Sequence, residues 1–204
     1  MYMDNYSNNN VLEDNILVGA KTGIILNDLS HSHTVKGNKI YDVESGINYS
    51  VWMKNIKDSI RGNYHVTNNI IYSKDDESRT INIGNHLDLD NYNIGLLDSN
   101  IYVSPVYPKI IKKFTSKPGY QVTYDYEFDT WKEISGKDRH SVAIVPKPGT
   151  KFWFMEDNST IFINDEKVPK VFQIHDNHYY NIQGKKVKGV VIVAPFDAEI
   201  LYKM

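Results

Sequence analysis

The chain has 204 residues, a formal charge of −2, 41% hydrophobic and 12% aromatic content and no cysteine. These values exclude general disorder, disulfides and thiolate metal sites, and they give no net electrostatic drive toward nucleic acid or an anionic membrane. No apolar run approaches the roughly 18 residues that a membrane span needs. The amino-terminal stretch MYMDNYSNNN lacks the apolar core of a secretory signal.

The first half of the chain repeats one grammar, with an asparagine at its centre. Asn15 has Leu12 before it and Leu17 after it, followed by Gly23 and Ile24. Asn38 has Val35, Ile40, Gly46 and Ile47 at the same offsets. Asn69 lies between Val66 and Ile71, and Asn100 between Leu97 and Tyr102. The anchors are 38 − 15 = 23, 69 − 38 = 31 and 100 − 69 = 31 residues apart, a period that implies stacked supersecondary units. Short β-branched runs separated by polar turn residues supply brief strands that bury their inner faces only by stacking. The asparagines are expected to hold turns, because their amides tolerate a left-handed backbone and can bond to stacked equivalents. Gly23 and Gly46 are expected to permit a backbone that a Cβ resists.

The strings VKGNKIYDVESGINYS (residues 35–50) and EDNILVGAKTGIILNDL (residues 13–29) resemble repeats of right-handed parallel β-helix proteins of the periplasmic copper-protein maturation and carbohydrate-binding type. That group is rich in secreted polysaccharide lyases and glycoside hydrolases. FDTWKEISGKDRHS (residues 128–141) resembles the segment that follows the last coil in bacterial glycan-degrading β-helix proteins, and residues 179–201 are similar to the small β-domain that closes such chains. The resemblance implies an all-β fold: about four coils of right-handed parallel β-helix over residues 1–105, then a β-sandwich-like cap or accessory domain over residues 106–204. It also implies an extracellular or cell-surface location, although the chain shows no signal sequence. Because residues 1–10 form a poor cap, missing amino-terminal coils or another subunit are expected over the open end.

In chain order, alternation after Gly46 puts Ile47, Tyr49 and Val51 inside and Asn48, Ser50 and Trp52 outside, with Asn27 outward in the preceding coil and Asp28 at its bend. An outward indole beside amides and carboxylates suits sugar rings, so Asn27, Asn48, Trp52, His33 and Arg61 are the candidate substrate-binding residues. Glycosidases need two carboxyls roughly 5 to 9.5 Å apart, and stacked coils are only about 4.8 Å apart. Asp28, Asp42, Glu44 and Asp58 are therefore candidate acids. His31 joins them because His31 and His33 face the same way on a strand, which also suits a metal if a third ligand is near. A lyase would instead need a base and a cation, for which Arg61, Lys74, Arg79, His31 and His65 are available.

The excursion SKDDESR (residues 73–79) reads as a solvent loop. Its Asp75, Asp76 and Glu77 offer oxygens to Ca²⁺ without the defined ligand positions of a calcium loop, and Asp88 and Asp90 offer a similar weak pair, so no cofactor is assigned. Pro105 and Pro108 are read as ending the coils, and the basic KIIKK (residues 109–113) as a solvated loop or edge. Residues 120–128 alternate as a half-buried strand, Thr130 and Glu133 read as a capping box, and Gly136 stops a short helix near 130–135 that carries Trp131 onto the coils. The remainder reads as short strands in a small module. The expected function is binding and cleavage of an extended polysaccharide by a glycoside hydrolase or polysaccharide lyase. The alternative is a non-catalytic glycan-binding adhesin or phage-tail-like module.

Overall fold

The computed structural model describes residues 1–51, 62–73, 75, 77–85, 93–104, 107–117, 120–145, 159–175 and 178–203. They form two compact units, residues 1–145 and 146–204.

In the first unit, strand β1 (Tyr2–Met3) precedes four windings of three strands each. These are β2 (Val11–Glu13), β3 (Ile16–Val18) and β4 (Thr22–Leu26); β5 (Thr34–Lys36), β6 (Lys39–Tyr41) and β7 (Ser45–Val51); β8 (His65–Thr67), β9 (Ile70–Tyr72) and β10 (Arg79–Asn85); and β11 (Leu96–Asp98), β12 (Ile101–Val103) and β13 (Lys109–Lys117). Successive strands enter different sheets, and each sheet gains one strand per winding. The parallel ladders run β2-β5-β8-β11, β3-β6-β9-β12 and β1-β4-β7-β10-β13. The expectation of parallel sheets of stacked strands is met.

The repeat becomes a core through three aligned apolar columns. Leu12, Val35, Val66 and Leu97 stack in the first ladder, and Leu17, Ile40, Ile71 and Tyr102 in the second. Ile24, Ile47, Ile81 and Ile111 stack in the third. Nearly all are below a tenth exposed, and each fully buried aliphatic side chain stabilises the stack by roughly 1.5–3 kcal/mol. Inside the corner between the first two columns lies an amide ladder. The backbone N–H and Nδ2 of Asn15 both donate to Asn38 Oδ1, at 3.0 and 2.9 Å. Those of Asn38 donate to Asn69 Oδ1 at 3.0 and 2.9 Å, and those of Asn69 to Asn100 Oδ1, both at 3.0 Å. The four anchors thus occupy equivalent corners.

Two details differ from the sequence reading. The left-handed residue is the one before each anchor, at Asp14, Gly37, Asn68 and Ser99, so the anchor asparagines serve by hydrogen bonding and not by their φ. Gly23 and Gly46 do not have positive φ either. They give space: a Cβ on Gly46 would sit 2.4 Å from Ile71 Cγ2 and from the Thr80 carbonyl, and one on Gly23 would sit 2.6 Å from Ile40 Cγ2.

The windings do not end at residue 105. β13 pairs in parallel with β10 and antiparallel with β14 (Tyr120–Glu127), so the basic 109–113 cluster belongs to a strand with neighbours on both sides. Helix α1 (Phe128–Ser135) follows, then β15 (Val142–Ile144), which extends the second ladder beside β12. The helix starts at Phe128 with Glu127 as N-cap and no side-chain cap bond, so the Thr130–Glu133 box is not what starts it; Gly136 ends it at φ 66° as expected. Trp131 and Phe128 are buried against the coil core. Asp138 fixes this closure. Its Oδ1 accepts the Tyr102 hydroxyl at 2.8 Å and the Ser141 hydroxyl at 2.7 Å, and its Oδ2 accepts the Trp131 indole N–H at 2.9 Å.

The second unit contains β16 (Ser159–Asn164), β17 (Lys170–Ile174), β18 (Tyr179–Asn181), β19 (Gly189–Val193) and β20 (Asp197–Lys203). They pair antiparallel as β16-β20-β18 and β17-β19 around Ile174, Val191, Val193 and Leu201.

Candidate functional site

The outward side of the six-stranded sheet brings polar and aromatic groups together. With Ile47, Tyr49 and Val51 fully buried, Asn48 and Ser50 turn outward and stay half-buried. Strand register then places Ile25, Asn48, Asn82, Lys112 and Asp125 in one row across β4, β7, β10, β13 and β14. The adjacent row is Ser50, Gly84 and Phe114. Phe114 lies across Gly84 so closely that a Cβ there would be 2.6 Å from its Cζ, which leaves an aromatic ring beside the amides. Asn82 Oδ1 is buried and accepts no hydrogen bond among the described residues.

Arg79 stands at the start of β10, in register with Ser45. Its Nε donates to Asp125 Oδ1 at 2.9 Å, Nη1 donates to the Ser78 carbonyl at 2.8 Å, and the guanidinium carbon lies 4.7 Å from the centre of the Tyr107 ring. With side-chain exposures of 11% for Arg79 and 28% for Asp125, the pair is held more firmly than an open surface ion pair. The face thus offers amide donors and acceptors, one ammonium, an ion-paired guanidinium and a ring. Such a set matches a ligand with many hydroxyls and an apolar ring face.

Of the residues singled out from sequence, Asn48 lies on this face. Asn27 is 5% exposed, because its Nδ2 donates to the Tyr2 hydroxyl at 2.6 Å and to Asp4 Oδ1 and Asn5 Oδ1, both at 3.2 Å. Asp28 is 1% exposed, and its Oδ1 accepts the Leu29 N–H at 3.0 Å. Strand β4 ends at Leu26; the Asn27 side chain is covered by the amino-terminal residues it bonds, whereas Asp28 serves the turn, where it was expected. Asp42 and the exposed Glu44 precede β7. Leu26 pairs with Tyr49, 49 − 44 = 5 residues beyond Glu44, and Asp28 lies in the turn past the end of β4. At ~3.3 Å per residue Leu26 is already about 16 Å along the sheet from Glu44, beyond the roughly 5–9.5 Å that a glycosidic bond requires. The fold therefore does not bring Asp28 together with Asp42 or Glu44. Trp52, Asp58 and Arg61 lie outside the described residues, as do Lys74, Asp76, Asp88 and Asp90.

His31 and His33 differ in surroundings. His31 is half-buried, whereas His33 is fully buried and its ring stacks on Tyr64, with centroids 5.9 Å apart. His33 Nδ1 accepts the backbone N–H of Asn10 at 3.1 Å, so the neutral ring carries its proton on Nε2, which faces Ser7 Oγ at 3.2 Å. The Ser7 hydroxyl in turn donates to the Asp4 carbonyl. A histidine that donates to a serine is no base for it, so this contact fastens the amino-terminal turn and does not activate a nucleophile.

Burial, aided by the neighbouring His31, lowers the His33 pKa below its ordinary value of 6.5. Above that value both folded and unfolded chains hold a neutral ring, and stability is indifferent to this group. As pH falls through 6.5 the unfolded chain takes a proton that the folded chain resists, so stability drops until the folded pKa is passed. The urea midpoint is therefore expected to fall between pH 7.5 and pH 5, and His33→Gln to shrink that fall. An unchanged difference in the variant would remove this role.

Asp75 Oδ1 accepts the N–H groups of Glu77 and Ser78 and the Ser78 hydroxyl, at 3.0, 2.7 and 2.6 Å, so the loop itself engages this oxygen. Among the described residues no three His, Asp or Glu side chains gather as a metal site, and no helix is long and apolar enough to cross a membrane. Asn82, Lys112, Phe114 and Asp125 were not singled out from sequence. The signal for Asn82 was displaced: it pairs with Asn48 at 82 − 48 = 34 residues, whereas the corners of these two windings differ by 31. Comparison with family models, curated proteins and solved structures finds no match for this chain.

Proposed function

We propose that the first unit is a right-handed parallel β-helix that binds an extended polysaccharide along the outward side of its longest sheet. The parallel ladders and the near-universal right-handedness of parallel crossover connections support the winding. The observation that carries the ligand class is the juxtaposition of the Asn48 and Asn82 amides with the Phe114 ring and the Lys112 ammonium across adjacent rows. A ring face covers the apolar side of a sugar, amides take its hydroxyls, and Lys112 favours glycans that carry carboxylates. Binding is the reading favoured here, because Asp28 is buried in the turn after Leu26, which is itself about 16 Å along the sheet from Glu44; the further candidate acid Asp58 lies outside the described residues.

Calorimetric titration with a panel of neutral and uronic oligosaccharides tests this. Uronic oligomers are expected to bind, and Asn48→Leu with Asn82→Leu to weaken them about tenfold, as expected for two lost hydrogen bonds of roughly 0.5–1.5 kcal/mol each. The fold should be unchanged, since both side chains point away from the core. Binding that ignores the double substitution would overturn the site. Products with unsaturated or new reducing ends, detected by mass spectrometry, would replace binding with cleavage.

A further inference from the structure

We infer that the end of the stack formed by β1, β2 and β3 is a strand-addition surface for a polypeptide strand–turn–strand segment with an asparagine at its turn. This rests on the backbone and the amide ladder, independently of the glycan reading.

The three strands are the edges of their sheets. Their inward bonds are known: Ile25 and Asn27 N–H donate to the Met1 and Met3 carbonyls, Thr34 and Lys39 N–H to the Asn10 and Asn15 carbonyls, and Asp14 and Gly19 N–H to the Lys36 and Tyr41 carbonyls. In a parallel ladder the intervening residues point their N–H and C=O the other way. Tyr2, Val11, Glu13, Ile16 and Val18 therefore aim backbone donors and acceptors off the end of the stack. Val11 is 64% exposed, and between the edges lies a hollow of about 460 Å³ lined by Met1, Met3, Ser7, Asn10 and Leu12. Open edges of this kind template pairing with another chain.

The opposite end is finished by the chain itself. There β14 covers β13, β15 covers β12, Asp138 N–H donates to the Leu97 carbonyl, and Phe128 and Trp131 cover the core. The amide ladder says what fits at the open end, because it has a direction. Each anchor donates two hydrogen bonds to the next Oδ1, and at the closed end the Asn100 N–H is received by Ser141 Oγ at 2.8 Å. At the open end Asn15 Oδ1 receives no donor among the described residues. The fitting occupant brings a backbone N–H and a side-chain amide to Asn15, with an apolar residue three before its asparagine to meet Leu12 and another two after to meet Leu17. A second copy meeting end to end brings the same unfilled acceptor, and its other end is already closed.

The probe is a synthetic, fluorescently labelled peptide with the sequence of residues 29–51, titrated into the full chain and followed by anisotropy. Saturable binding is expected, weakened at least tenfold in the Asn38→Ala peptide. The chain variant Val11→Pro with Val18→Pro deletes only N–H groups that point away from the stack. Proline is tolerated at such edge positions, so its urea midpoint should match the parent while peptide binding disappears. Three results would overturn the proposal: no binding at millimolar peptide, equal binding to the proline variant, or sedimentation of the parent as a dimer that the proline variant dissociates.

Discussion

Asn69→Ala is expected to destabilise the chain by about 4 kcal/mol, an unusually large effect for a polar truncation. Asn69 is fully buried, and its Oδ1 receives both the N–H and the amide of Asn38. Its Nδ2 donates to the Val35 carbonyl at 2.9 Å, the Thr67 carbonyl at 3.0 Å and Asn100 Oδ1. Alanine leaves the Asn38 donors and the Val35 carbonyl in a core that water does not reach. Each orphaned buried group costs roughly 1–3 kcal/mol. Asn15→Ala supplies the contrast at the open end. Asn15 is half-buried and donates without receiving, so its loss is expected to cost about 1 kcal/mol. Urea denaturation of the two variants checks this pair, and equal losses would mean that the ladder does not organise the stack.

Asp138→Ala is expected to cost about 3–4 kcal/mol and to loosen the closed end selectively. The carboxylate is fully buried and receives three side-chain donors, from Tyr102, Trp131 and Ser141. Burial, reinforced by Asp138, pushes the Tyr102 hydroxyl well above its ordinary pKa, so it remains a neutral donor to this acceptor. Removing the acceptor strands a phenol and an indole N–H under α1. Asp138→Asn keeps the shape but turns an NH₂ toward one of the three donors, so an intermediate loss is expected. Hydrogen exchange at the Trp131 indole should accelerate in both variants ahead of amides in β4 to β9. Uniform acceleration through the unit would contradict a local role.

The repeat was legible because stacking imposes identical demands at each level. A corner whose amide must reach the next corner accepts one residue type, and Asn15, Asn38, Asn69 and Asn100 announce it. The left-handed positions beside them were illegible, since Asp14, Gly37, Asn68 and Ser99 all adopt the conformation with different side chains. The end of the windings was misplaced at residue 105 because β13 and β15 are separated by a hairpin strand and a helix, which breaks the period although the ladders continue. There Ser141 takes the asparagine's place, and Asp138 supplies a hub that no repeat foreshadows. The candidate face was only partly legible. Alternation found Asn48, and Asp28 lies at the bend as expected, but in the preceding coil Asn27 follows the end of β4 and is covered by Tyr2, Asp4 and Asn5. The longer connection between β9 and β10 shifted the register by three residues and concealed Asn82.

The stacking of successive windings is tested most directly by disulfide trapping in a chain that has no cysteine of its own. Thr34 and His65, 31 residues apart, are paired partners on neighbouring windings and face outward, so their spacing of about 4.8 Å suits a disulfide. Thr34 and Leu96 stand two windings apart, at about 9.6 Å, too far for one. Under mild oxidation the Thr34→Cys, His65→Cys chain is expected to cross-link within the monomer, and the Thr34→Cys, Leu96→Cys chain to stay reduced. Failure of the first pair, or equal cross-linking of both, would contradict the stacked windings on which the binding face and the open end depend.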